Sequence, residues 1–362
     1  MQRAVPDDNA PKPDKLRIDK ARGDLRTRRH FEKSLETTMA IFARFFFPGA
    51  CVVLALGLAQ HSIAQTYPNK SIRIVVPFPP GSPEDFITRV MSERLQAGLK
   101  QPLVIENKPG AGGNIGAEIV AKATPDGYTV LVSIDTVVTI NPHIYKKLAF
   151  KPESDLVPVV YLANTAQTLV CNPAVPVKSM AEFIAHARAT PLNYASGGQG
   201  VPGHMAMELF LAATGLKMTH IPYKGPGPAM QDVMAGQVPC GFLATPVVVP
   251  QVKSGKLIGL AVSQTKRSPI APELPTVAEA GVAGYDAGFG LLLQVPRGTP
   301  EPVMRVLAEE VARVLAHPEV RERMLASDLE YVPGTPADAA ARVQRDSAKW
   351  KQVVDRIKLQ VD

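Results

Sequence analysis

The residues whose types and spacing could do chemistry are mostly glycines. Glu106-Asn107-Lys108-Pro109-Gly110-Ala111-Gly112-Gly113-Asn114-Ile115-Gly116 follows an apolar run at 102–105 and opens a helical pattern that ends near Ala123. Glycine at a strand-to-helix turn permits positive φ and lets another molecule approach closely. The helix start adds unpaired N–H groups and a partial positive charge, which suits an anionic or polar ligand. A tight turn that only packs would use the same residues. A second cluster, Gly197-Gly198-Gln199-Gly200-Val201-Pro202-Gly203, follows a strand at 192–196 and precedes a helix at 204–214. What these loops offer is capture through backbone groups. The histidines are dispersed, with no His-x-x-x-His pair, so no metal site is expected. His204 and His220 read as helix-surface or structural residues. Ser196 lacks the Gly-x-Ser-x-Gly context of a hydrolase elbow.

One pattern imitates a cofactor site. Gly110-x-Gly112-x-x-x-Gly116 follows a strand, and Asp135 ends the next strand, near where a ribose-binding acid would fall. The turn is lengthened by Asn107-Lys108-Pro109, however, and a complete strand–helix unit precedes it. No cofactor is expected.

The elements that must position these loops repeat one theme. A strand at 71–77 runs into the loop Phe78-Pro79-Pro80-Gly81-Ser82-Pro83-Glu84-Asp85, then a helix with Phe86, Ile87, Val90, Met91 and Leu95 near the 3.6 period. Strands follow at 103–106 and 128–134. Repeated strand–loop–helix units predict a parallel or mostly parallel sheet with helices on its faces. The loops at 78–85, 107–116 and 133–141 should then converge at its carboxyl edge. Runs at 156–163 and 168–171 read as a crossing between domains, and 289–295 as the return. Ser179-Met180-Ala181-Glu182 is a capping box. Pro275-Thr276-Val277-Ala278-Glu279 reads as the cap of a short helix. Two terminal helices close the chain, one with Val303, Val306, Leu307, Val311, Val314 and Leu315 on one face, the other from Pro336 and carrying Trp350. The architecture expected is two α/β lobes, residues 65–165 plus 291–362 and residues 166–290, joined by crossing strands. Such a clamshell closes on a small solute by hinge motion.

The N-terminus reads as an export segment. Residues 1–38 hold ten Lys/Arg and seven Asp/Glu without apolar periodicity. From Met39 onward, Arg44 precedes Phe45-Phe46-Phe47, an apolar run at 50–59 and Ser62-Ile63-Ala64, the pattern of a signal peptide cleaved near Ala64. The run is shorter than the ~20 residues of a membrane span. An ordinary Sec signal from Met39 is the reading. Thr27-Arg28-Arg29-His30-Phe31-Glu32-Lys33 resembles a twin-arginine signal, although Glu32 stands where an apolar residue is usual. Pro48-Gly49-Ala50 stand before Cys51 and most of the apolar run follows it, so Cys51 does not read as a lipidation site. The net charge of +7 belongs largely to this segment: residues 1–64 hold eleven of the 40 Lys/Arg and seven of the 33 Asp/Glu, which leaves the remainder near +3. Basic residues there are scattered, so no nucleic-acid partner is expected. Cys171 and Cys240 lie in apolar strand-like runs and read as buried thiols; a disulfide between them stays open in an oxidising compartment.

The chain resembles the extracytoplasmic solute receptors of tripartite tricarboxylate transporters, the Bug-type receptors, over about residues 66–358. The motifs that carry this are Tyr67-Pro68 with Ile72-Arg73-Ile74-Val75-Val76-Pro77-Phe78, the loop 106–116, Pro125-Asp126-Gly127-Tyr128-Thr129, Tyr194-Ala195-Ser196-Gly197-Gly198 with His204, Pro222-Tyr223-Lys224-Gly225, Pro275-Thr276-Val277-Ala278-Glu279-Ala280-Gly281 and Pro296-Arg297-Gly298-Thr299-Pro300. The resemblance implies a type II periplasmic-binding-protein fold in the periplasm and no catalysis. It implies a monomer that binds a small organic solute, a carboxylate, and hands it to membrane permease subunits. By position it points to Phe78, Gly81, Ser82 and Asp85 in the first loop, and to Gly112, Gly113 and Asn114 in the second. Ser133 and Thr136 are further candidates in the first lobe, with Ser196, Gly197 and Tyr223 in the second.

Two departures bear on the solute. Pro83 and Glu84 stand where the first loop of the family usually carries more glycine and then Ser or Thr before the aspartate. Pro83 has no N–H to donate. Glu84 either faces the cleft, repelling a carboxylate and accepting from an amine or amide, or points outward as a helix cap. The second departure is Leu243 after Phe242, where the family often has aspartate. Two rival readings remain: a periplasmic ligand-sensing partner of a membrane sensor kinase, and an exported enzyme built on Gly110–Gly116. Binding to a sensor ectodomain would mark the first, and turnover of a bound solute the second.

Overall fold

The computed structural model describes residues 67–361. The export signals, Cys51 and the cleavage position near Ala64 lie outside these residues. The first unit is β1 (Ile72–Val76), α1 (Pro83–Leu99), β2 (Leu103–Asn107), α2 (Asn114–Ala121) and β3 (Thr129–Ile134). Short helices α3 (Thr136–Thr139), α4 (Asn141–Ile144) and α5 (Pro152–Asp155) lead to β4 (Leu156–Thr165). A second series follows: β5 (Gln167–Cys171), α6 (Met180–Ala189), β6 (Leu192–Ser196), α7 (Pro202–Thr214), β7 (Met218–Pro222), α8 (Pro226–Met234), β8 (Cys240–Ala244), α9 (Thr245–Lys253) and β9 (Ile258–Val262). The chain then returns as β10 (Phe289–Pro296) and ends in α10 (Glu301–Leu315), α11 (Pro318–Leu325), β11 (Glu330–Tyr331) and α12 (Pro336–Ile357).

These elements form two sheets, in the orders β11-β4-β10-β3-β1-β2 and β7-β6-β8-β5-β9. The expected parallel pairing holds for β1 with β2 and β3, and for β6 with β7 and β8. The sheets as wholes are mixed. β10 runs antiparallel to β3 and β4, and β5 antiparallel to β8 and β9. The reason is topological. β10 re-enters the first sheet from the second, opposite in direction to strands built by right-handed strand–helix–strand units. The first crossing is abrupt, since β4 and β5 are separated by Ala166 alone.

Local signals place the helices as the sequence indicates. Ser82 caps α1, its Oγ accepting from Asp85 N at 3.3 Å, with Pro83 at the first turn. Ser179 and Glu182 close the capping box of α6. The pair Thr276 and Glu279 also exchanges capping hydrogen bonds, but the chain makes only a turn there, and Gly281 follows at φ +109°. In α10 the apolar stripe buries Leu307, Val311, Val314 and Leu315. Trp350 of α12 stacks on Phe289 of β10 at 5.2 Å and 7°. Cys171 and Cys240 sit opposite one another in the β5–β8 ladder as buried free thiols.

Candidate ligand-binding site

A cavity of about 640 Å³ opens between the two sheets. The first sheet supplies Phe78, Gly81, Ser82, Glu84, Phe86 and Ile134 to its wall. The second supplies Gly197, Val201, Gly203, Lys224, Phe242 and Leu243, and the crossing adds Thr165 and Gln167. The wall is chiefly apolar. Its charged residues are Glu84 and Lys224.

The loop 78–85 is held by Asp85. The Asp85 carboxylate accepts from Gly81 N at 2.9 Å, Arg89 Nε at 2.9 Å and Asn107 Nδ2 at 3.0 Å. Asn107 Nδ2 also donates to the Phe78 carbonyl at 3.0 Å. Burial pushes this carboxyl up, but hydrogen bonds from Arg89, Gly81 and Asn107 outweigh it and hold it below the usual range. Asp85 therefore sits behind the wall and shapes it. Gly81, at φ +84°, is on the wall, where a side chain would be strained.

Glu84 does not cap α1 from outside. It is 3% exposed and lines the cavity. The outward reading fails because the carboxyl is turned in from the first turn of α1, where Oε2 is buried. Burial pushes its carboxyl up to about 7, against the pull of its own N–H and the Ser82 hydroxyl, and Asp85 adds to the rise. The folded value exceeds the ordinary one near 4.5, so the folded state keeps a proton that the unfolded chain releases between these pH values. Glu84 thus stabilises the fold at the acid end and loses that contribution as pH rises through about 7. Relative to Glu84→Gln, the ligand-free protein should lose stability between about pH 5 and pH 8. Calorimetric melting of both proteins across that range measures this, and a constant difference would contradict it.

The second loop sits one layer back. Residues Ala111–Gly113 form a 3₁₀ turn in which Gly112 has φ +62° and Gly113 φ +94°. A Cβ on Gly113 would lie 2.9 Å from Val137 Cγ2 and 3.1 Å from the Phe78 ring. The close approach that glycine permits here is to Phe78. Asn141 Nδ2 donates to the Gly112 carbonyl at 3.0 Å and to Asn114 Oδ1 at 2.7 Å. The three loops do converge, through Phe78, Gly113, Val137 and Asn141. Gly112, Gly113 and Asn114 are absent from the cavity wall. Ser133 and Thr136 are buried away from it, with Ser133 Oγ donating to Gln294 Oε1 at 3.0 Å. Asp135, the acid of the dinucleotide-like pattern, is buried and accepts from Tyr161 and from Gly290 N.

In the second sheet Gly197 reaches the wall, whereas Ser196 and Tyr223 do not. Ser196 Oγ donates to the Gly198 carbonyl at 2.8 Å and lies 2.7 Å from His220 Nε2. His220 stacks on His204 at 3.9 Å, and His204 lies 3.7 Å from Glu208, which accepts from Tyr194. Burial, then the neighbouring His204, pushes His220 down to about 3, so its ring is neutral. Ser196 is wholly buried. The cluster pins the Gly197–Gly203 loop against β6 and β7. The Tyr223 hydroxyl donates to Asp232 at 2.7 Å, while its neighbours Lys224 and Gly225 line the cavity. Lys224, Thr165, Gln167 and Phe86 were not among the expected site residues. Lys224 is marked in the sequence only by its place in Pro222-Tyr223-Lys224-Gly225, and Thr165 and Gln167 only by flanking the crossing.

The model of the tripartite tricarboxylate transporter family receptor matches residues 87–359. The chain belongs to this receptor family. BugT of Bordetella pertussis (strain Tohama I) is 33% identical over 305 residues, covering 83% of this chain and 94% of its own length. Rpa4515 from R. palustris, solved with adipate, superposes with a TM-score of 0.74 at 33% identity, over 80% of this chain and 97% of its own. MatC from Rhodopseudomonas palustris, solved with bound malate, gives a TM-score of 0.72 at 32% identity, over 80% and 100%. The expected periplasmic-binding-protein architecture is therefore the one found. Members of this family are solute-binding receptors and not a class of enzyme.

Proposed function

We propose that this receptor works in the periplasm, capturing a small organic carboxylate in the cavity between its sheets and presenting it to membrane permease subunits. The observation that carries this is the cavity itself, of a size for a small acid and lined by loops from both sheets. The adipate and malate held by two relatives support the carboxylate class. In this reading residues 65–165 plus 291–362 and residues 166–290 are lobes that close about Ala166 and the return to β10, as a monomer without cofactor. Phe78, Gly81, Ser82 and Gly197 contact the solute. Asp85, Gly112, Gly113, Asn114, Ser133, Thr136, Ser196 and Tyr223 hold those contacts in place. Residues up to about Ala64 are the cleaved export signal.

A thermal-shift screen of aliphatic and aromatic carboxylates, amides and amino acids tests the reading. A solute at about 100 times its dissociation constant stabilises the fold by roughly 2.7 kcal/mol, which shows as a raised melting temperature. A screen of that breadth with no stabilising compound would count against it.

A further inference from the structure

Glu84 is the charged group that capture of a carboxylate leaves unexplained. It lies in the first turn of α1, lines the cavity and is 3% exposed. Its Oε2 has no hydrogen-bond partner. No Lys, Arg or His among the described residues forms an ion pair with it. A buried carboxylate oxygen without a donor is costly, and a donor brought into the cavity relieves that cost. Lys224, exposed between β7 and α8, is the other charged residue of the wall. The remaining wall is largely apolar, with Ser82, Thr165, Gln167 and Ser327 as its uncharged polar side chains. The cavity thus offers one cation and one carboxyl to the same solute.

We infer that Glu84 is a specificity residue that selects solutes carrying a nitrogen donor, an ammonium or a primary amide, in addition to a carboxylate. The inference rests on the receptor reading above and narrows its substrate class. The carboxylate meets Lys224, and the nitrogen donates to Glu84 Oε2. A plain dicarboxylate instead brings a second anion against Glu84 and binds only as Glu84 takes up a proton. The titratable group beside Glu84 is Asp85 on its own helix, which adds to the upward push on its carboxyl; Lys224 lines the same cavity from the loop after β7. With Glu84 near 7 in the empty protein, ammonium binding strengthens as pH rises through that value and dicarboxylate binding weakens.

The test is calorimetric titration of the purified protein with three matched series: straight-chain dicarboxylates of four to eight carbons, their monoamides, and the ω-amino acids of equal length. At pH 8 the best monoamide or ω-amino acid should bind at least about tenfold more tightly than the dicarboxylate of its length. Glu84→Gln should erase most of that preference, improve dicarboxylate binding about tenfold and remove the opposite pH trends. Glu84→Thr, which removes the carboxyl and its bulk, should show the same loss of preference. If dicarboxylates win at pH 8 in the wild type and neither variant changes the ranking, the inference is overturned while the receptor reading stands. If no member of the three series binds a protein that melts cooperatively, the receptor reading fails and the inference with it.

Discussion

Asp85→Ala should lower stability by about 1–2 kcal/mol and weaken solute binding at least about tenfold. The Asp85 carboxylate is the acceptor for Gly81 N–H, for Asn107 Nδ2 and for Arg89 Nε. Removing it strands donors that were paired, at about 1–3 kcal/mol for each buried one. Asn107 keeps the Phe78 carbonyl, and Arg89 is half exposed, so both lose little. Most of the cost falls on Gly81, whose N–H fixes the loop at the wall. Because the folded carboxyl is held below its usual value, its contribution is present above the unfolded pKa of about 3.9 and lost as pH falls through the folded value. The gap between wild type and variant should therefore close in acid. Urea unfolding at neutral and acidic pH, with the dissociation constant of a solute from the screen, measures both effects. Reduced stability with unchanged affinity would show that the loop does not shape the site.

The second large effect is expected where the chain returns to the first sheet. Gly290→Ala should cost about 4 kcal/mol. An added Cβ would stand 1.5 Å from the Tyr161 hydroxyl oxygen and 1.8 Å from Cζ, so the ring must leave. That ring donates to Asp135 Oδ2 at 3.0 Å and lies 3.7 Å beneath the Arg342 guanidinium. Overpacking of this kind costs roughly 1–3 kcal/mol. Loss of the Tyr161 hydrogen bond to a buried carboxyl adds about 1–3 kcal/mol. Asp135 has little reserve: Oδ1 has no partner, and burial, with Asp346 next, already pushes it up to about 7. The double variant Gly290→Ala, Tyr161→Ala tests the steric account. It should be more stable than the sum of the single changes predicts, by about 1–3 kcal/mol. Strict additivity would remove the clash as the cause.

Ser133 and Ile134 show why the site was only partly legible. Successive residues of a strand point to opposite faces. The alternation is present in the sequence, but which face meets the cavity depends on the sheet that forms across from it. Ile134 lines the cavity, and Ser133 turns to Gln294 of β10, 161 residues away. The direction of β10 was equally hidden, because a strand's polarity in a sheet is a property of its connections. Asp85 and Asn107 lay in plain view as a loop acid and a loop amide. Their pairing closes a gap of 22 residues that no local rule links.

By itself the sequence determined the local units: strand, glycine loop and capped helix, twice over. Those follow from short-range physics, from hydrophobic period, N-caps and residues free to take positive φ. The order of its motifs also determined the family. Only the tertiary structure decided that Glu84 faces inward, that Gly113 makes room for Phe78, and that Lys224 shares a wall with Glu84. Each is a contact between elements distant in sequence. Burial and the electrostatics it brings arise only when the two sheets face each other across the cavity.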